Sequence, residues 1–125
     1  MAEEETQKNQ FEIRIYNYVL RLVKFLNLLP NTQLAREIIS QLMRSGTSIG
    51  ANYFEAKGAS SKKDYQNFFS YSLKSANESK FWLTILKDSK LISKDLDIET
   101  VWLIKETQEL ANIFAASIIT MKNKR

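Results

Sequence analysis

The sequence predicts an all-α fold, an antiparallel up-down-up-down four-helix bundle built as one domain. Three observations carry that prediction. A chain of 125 residues is long enough to bury one core without staples. It contains one Pro and three Gly, so long regular elements are unbroken. Its apolar residues recur three and four apart, the period of a helix that buries one stripe. Short links between helices of similar length favour neighbours that run in opposite directions.

The first helix is predicted over about residues 8–28, where Phe11, Ile15, Tyr18, Leu22, Phe25, Leu26 and Leu29 share a face. Pro30 ends it, because proline lacks the donor and clashes with the preceding turn. Residues 1–10 read as a polar, disordered leader, which puts the domain at 11–122 and leaves 123–125 as a basic tail. Asn31 or Thr32 can cap the second helix, whose inner side is Leu34, Ala35, Ile38, Ile39, Leu42, Ile49 and Tyr53, with an end near Gly58. Its length implies a long axis of about 40 Å.

Ser61 and Asp64 have the spacing of a capping box, with Asp in place of Glu or Gln, and open a third helix running to about Asp88. Its inner stripe is Tyr65, Phe68, Phe69, Ser72, Ala76, Ser79, Leu83 and Leu86. The small residues in successive turns of that stripe allow another helix to approach closely. After a polar connection over residues 88–94, Asp97 is the expected cap of a fourth helix ending near Lys122. Leu103, Ile104, Thr107, Leu110, Ala111, Phe114, Ile118 and Met121 face inward along it.

The chain has no Cys and no His, which removes disulfides, thiol chemistry, imidazole catalysis and the usual transition-metal ligands together. No metal, cofactor or small-molecule substrate is expected. The apolar runs are too short for a membrane span or an export signal, so a cytoplasmic location is expected. The net charge is +4; residues 1–10 contribute −2, so the body carries +6. A basic body attracts polyanions, although solvated basic surfaces without that role are common.

A bundle needs one apolar stripe per helix, yet the first helix has a second one: Ile13, Tyr16, Leu20 and Val23. Phe81 and Ile85 on the third helix, and Trp102 and Ile113 on the fourth, also point away from the predicted core. A contiguous surplus of this kind on a small bundle is the mark of an oligomer interface.

The stretch RSGTSIGANYFEA, residues 44–56, places two glycines in the second helix. It fails as a Walker phosphate loop, since Gly46 and Gly50 are followed by Ala51 and Asn52 and the lysine is absent. It fails as a dinucleotide loop, since no strand precedes it. Each helical glycine costs about 1 kcal/mol relative to Ala, so a packed neighbour must compensate. Gly46 and Gly50 lie one turn apart beside Ile39, Leu42 and Tyr53, opening a groove on the packing face. Across the helix, Arg44, Ser48, Ala51 and Glu55, with Asn52 beside them, form a line that is either a solvated face or a polar network that fixes packing or touches a partner.

At these residues the chain resembles the bacterial four-helix proteins encoded in intervening sequences of 23S ribosomal RNA genes. The resemblance rests on RSGTSIGANYFEA and on SSKKDYQNFFSYSLKSANESKFWLTIL, and covers roughly residues 11–90. Carried onto this sequence it singles out Arg44, Ser48, Ile49, Asn52 and Glu55, then Asp64, Tyr65, Leu73, Lys74, Glu78, Trp82 and Leu83. Tyr53 and Phe54 stand where smaller aliphatic residues are frequent, and Ala56-Lys57-Gly58 departs from a common Glu-Gly ending. The resemblance implies a ring, a homopentamer, without enzymatic activity. Similar proteins include the accessory proteins of diversity-generating retroelements, basic barrels that bind nucleic acid.

The function expected is therefore a non-enzymatic, self-assembling module that binds structured RNA, or RNA/DNA, through basic surfaces. Candidate contacts are Lys57, Lys62 and Lys63 where the second and third helices meet, and Lys122, Lys124 and Arg125 in the tail. The two clusters are expected at opposite ends of the bundle. The alternative is a structural or protein-interaction scaffold in which the lysines only confer solubility. Glu55, Glu78 and Asp64, without His or a dense acidic cluster, read as ordinary surface carboxylates rather than hydrolase groups.

Overall fold

The structure, a computed structural model, describes residues 2–124. It contains four helices: α1 (Ala2–Leu26), α2 (Gln33–Ala56), α3 (Lys62–Asp88) and α4 (Asp97–Asn123), with a short 3-10 turn at Lys94–Leu96 before α4. No strand occurs among the described residues. α1 packs on α2 and α4, and α3 also packs on α2 and α4, so the four surround one core.

α1 begins earlier than the apolar pattern predicts, since residues 2–10, expected as a disordered leader, are helical with exposed side chains. Glu3, Glu4 and Glu5 lie in its first turn and Lys24 in its last, where each complements the helix dipole. Ile15, Tyr18, Leu22, Phe25 and Leu26 are buried as the stripe requires. The helix regularly ends at Leu26, because the amides of Leu28 and Leu29 bond back only three residues, tightening the last turn before Pro30.

Thr32 caps α2, accepting from the Ala35 amide. Ala35, Leu42, Ile49 and Tyr53 are buried, and Ile38 and Ile39 are half-buried. Leu34, expected inside, is 66% exposed: in the first turn it overhangs the end of the core rather than entering it. The helix ends at Ala56, two residues before the glycine expected to stop it.

Both glycines of α2 are buried and face α1. A Cβ at Gly46 would collide with Leu22 Cδ2, and one at Gly50 would stand 3.1 Å from Val19 Cγ2 and 3.5 Å from Ile15 Cγ2. The groove inferred from the sequence is therefore filled by Ile15, Val19 and Leu22. Their dispersion contacts offset the helix propensity that glycine forfeits. On the next flank of α2, Ser45 and Ser79 share a hydrogen bond of 2.9 Å and Ser72 donates to the Ile49 carbonyl at 2.9 Å. Ser72, Ala76 and Ser79 are all buried, so α3 meets α2 through small, satisfied residues.

Ser61 caps α3 by accepting from the Asp64 amide. Asp64 reaches back to the amide and hydroxyl of Ser60, one residue before the position a Glu would serve. α3 ends at Asp88, followed by Lys90 at φ 59°, a left-handed conformation more often taken by glycine at this place. Asp97, expected as the cap of α4, is instead its first residue. Ser93 caps the 3-10 turn and Leu96 precedes α4 without a side-chain cap. Leu103, Thr107, Leu110, Ala111, Phe114 and Ile118 are buried, joined by Thr100, which donates to the Leu96 carbonyl.

Candidate nucleic-acid interface

α1 meets α4 differently from the way it meets α2. Arg14 makes a two-bond fork with Glu106 at 2.8 Å, and Arg21 makes another with Glu99 at 2.7 Å. Arg21 also lies 3.5 Å from the centre of the Trp102 ring. Between the forks the buried Tyr18 hydroxyl donates to Thr107, whose own proton is given to the Leu103 carbonyl. The fork from Arg21 pulls the Glu99 carboxyl below its ordinary range. Burial, and the nearby Glu106 charge, push the Tyr18 phenol well up, against a smaller opposing effect of the Thr107 hydrogen bond. Sequence spacing offers no signal for these pairs, which join residues far apart in the chain.

The polar line on α2 turns inward on its own helix. Ser48 donates to the Arg44 carbonyl at 2.7 Å and Asn52 to the Ser48 carbonyl at 2.9 Å. Arg44 and Glu55 are exposed, and neither makes an ion pair among the described residues. Trp82 donates to Glu78, so this family-motif pair also bonds within one helix. Tyr65 is half-buried and packs on Phe69, ring centres 4.8 Å apart.

The surplus stripe is exposed where it was expected: Ile13 is 58% exposed, Tyr16 60%, Leu20 41% and Phe81 55%. Val23 and Ile85 are half-buried. Met43 and Phe54, which the sequence reading passed over, are exposed on the flank of α2 that carries Gly50. Their spacing around that glycine was the available signal, and they extend the apolar face of α1 onto α2.

The basic clusters are not at opposite ends. Lys57, Lys62 and Lys63 line one cleft with Lys122 and Lys124, and α1 adds Lys8; its volume is about 930 Å³. The expectation failed on simple geometry, because wherever consecutive helices reverse direction the start of each lies beside the end of the next. Arg125 lies outside the described residues. Six lysines and no carboxylate form the wall, with Ala56, Ala59 and Met121 as apolar floor. Lys57 is bridged to Glu12 and lies 4.9 Å from the Phe54 ring centre. The other five make no ion pair among the described residues. Ser61, at the N-terminus of α3, also lines the cleft, but so do the C-terminal ends of α2 and α4, whose dipoles oppose it, so the lysines carry the positive field.

Elsewhere, no three Asp or Glu side chains among the described residues converge to hold a metal ion. No helix among them is long and apolar enough to cross a membrane.

Four long helices around one core, with a lysine cleft and an uncovered apolar face, define a small all-α protein with no strand among the described residues. More particularly, the chain belongs to the 23S rRNA-intervening sequence protein family, whose model matches residues 8–116. Among solved structures it is similar to a crystal structure, at 1.70 Å, of a protein of unknown function from the S23 ribosomal protein family of Bacteroides thetaiotaomicron VPI-5482. The two are 30% identical with a TM-score of 0.76, over 86% of this chain and 96% of that one. No curated protein matches.

Proposed function

We propose that the protein is a non-enzymatic module of the cytoplasm that assembles with copies of itself and binds nucleic acid, with the lysine cleft as the contact surface. The observation that carries this is the convergence of six lysines from α1, the α2–α3 junction and α4 on one cleft without a carboxylate in its wall. Five of them are free to meet phosphates.

Alternation of helix direction, up-down-up-down, is part of the proposal. It is supported by the order of the contacts: Arg14 meets Glu106 while Arg21 meets Glu99, and Ile49 meets Ser72 while Ser45 meets Ser79. Self-assembly is supported by the exposed face of Ile13, Tyr16 and Leu20 with Met43 and Phe54. A homopentameric ring, as the family resemblance implies, would repeat the cleft around one rim and bring many phosphate contacts to one ligand.

A gel-shift titration with ribosomal RNA fragments tests the binding. Saturable binding is expected at low salt. With about five phosphate contacts it weakens on the order of several hundred-fold between 50 and 200 mM salt. No saturable binding even at low salt would leave the lysines as solubilising charges on a scaffold.

A further inference from the structure

Beside the lysine cleft lies a second hollow of about 680 Å³, within the size range of sites for small organic groups. The two share Lys8, Tyr65, Met121 and Lys124. Where the cleft is cationic, the hollow is aromatic: the half-buried Phe11 and Tyr65 line it, backed by the buried Tyr53 and Phe69. Their rings form one cluster, with Phe11 to Tyr53 centres 5.3 Å apart and Tyr53 to Phe69 5.9 Å. The Tyr53 and Tyr65 hydroxyls bond no protein group among the described residues, unlike that of Tyr18.

We propose that this hollow takes one unpaired base of a single-stranded segment, while the phosphates flanking that base lie on the neighbouring lysines. The inference rests on the nucleic-acid reading of the cleft and adds to it the kind of strand bound. A flat heteroaromatic ring stacks on tyrosine and phenylalanine whatever its sequence, and a cationic groove alongside holds the backbone. Both tyrosine hydroxyls can donate to acceptors on a base edge. Glu4, also on the wall of the hollow, repels phosphate and so directs the backbone to the lysine side. A base inside a duplex has its faces covered by stacking and its edge by pairing, and cannot enter.

The test compares the affinity of the full chain for three RNAs: a blunt duplex, the same duplex with a short single-stranded overhang, and that overhang made abasic. A matching DNA set distinguishes the two kinds of strand, and the effect in either set supports the proposal. The overhang is expected to bind about tenfold tighter than its abasic twin, the scale of one base–aromatic stack. Tyr65→Leu, which keeps bulk and removes the ring, should abolish that advantage, read as the ratio of overhang to abasic-overhang affinity within the variant. The abasic comparison uses the unaltered chain, so it stands even if the variant folds poorly. Equal affinity for overhang and abasic overhang overturns the base-pocket assignment and leaves the lysine cleft intact. Absence of saturable binding to any of them overturns both.

Discussion

Glu99 shows how a single half-buried carboxylate can be tied to the fold. Its pKa is lowered in the folded chain, chiefly by the Arg21 hydrogen bonds, with burial opposing. A depressed folded pKa means stability that is fully present above the unfolded carboxylate value, near 4.3, and lost as pH falls through the folded value. Glu99→Gln should therefore lower the melting temperature at neutral pH and converge with the unaltered chain in acid. Parallel thermal melts across pH would show this, and a constant offset at all pH values would mean that the fork contributes no charge-dependent stability. The fork is half-exposed, so the effect is small. Nothing near Glu99 or Arg21 in the sequence announces the pair. Whether two charges seventy-odd positions apart meet depends on which helices become neighbours and how each is turned. Local periodicity does not specify either.

At the scale of elements, each face of α2 does a different job, and the two glycines can be ranked. Gly46 faces the fully buried Leu22, whose branch has nowhere to go, while Gly50 faces Val19, which is only half-buried and can yield. Gly46→Ala is expected to destabilise by about 1–3 kcal/mol from overpacking, less about 1 kcal/mol returned as helix propensity. Gly50→Ala should cost less or be neutral. Chemical denaturation of both variants checks the order, and the reverse order would place the tight approach at the wrong end of the groove. This groove was legible in the sequence because the cost of two helical glycines demands compensation and their register puts them beside Leu42 and Tyr53. The start of α1 was not, because residues 2–10 have no buried face to create a period. Their helix is held by end charges and by continuity with the apolar turns that follow. The cap of α4 was misassigned for a related reason: Ser93 and the 3-10 turn perform the stop-and-start that Asp97 was expected to perform alone.

For the whole molecule, the exposed apolar face makes the sharpest prediction. Leu20 is 41% exposed and makes no part of the buried core, so Leu20→Glu should leave helicity unchanged while reducing the mass in solution to that of one subunit. Circular dichroism with light scattering would decide it, and an unaltered assembly mass would remove α1 from the interface. The double stripe was readable from spacing alone. The convergence of the lysines was equally available to anyone tracing helix direction, since it follows from the alternation proposed above and not from side-chain detail. The aromatic hollow was less accessible: Phe11, Tyr53, Tyr65 and Phe69 each read as core, and only Phe11 and Tyr65, near the end of the bundle, stay half-buried over the buried Tyr53 and Phe69.

That same end of the bundle is where Lys8 and Lys124, one near each end of α1 and α4, stand on a common wall. An affinity handle or fluorescent label attached to Lys8 or Lys124 would thus stand beside the other lysines and shield them. An epitope inserted between Ser89 and Ser93, in the connection from α3 to α4, stands on none of the residues that line the cleft and leaves its lysines open.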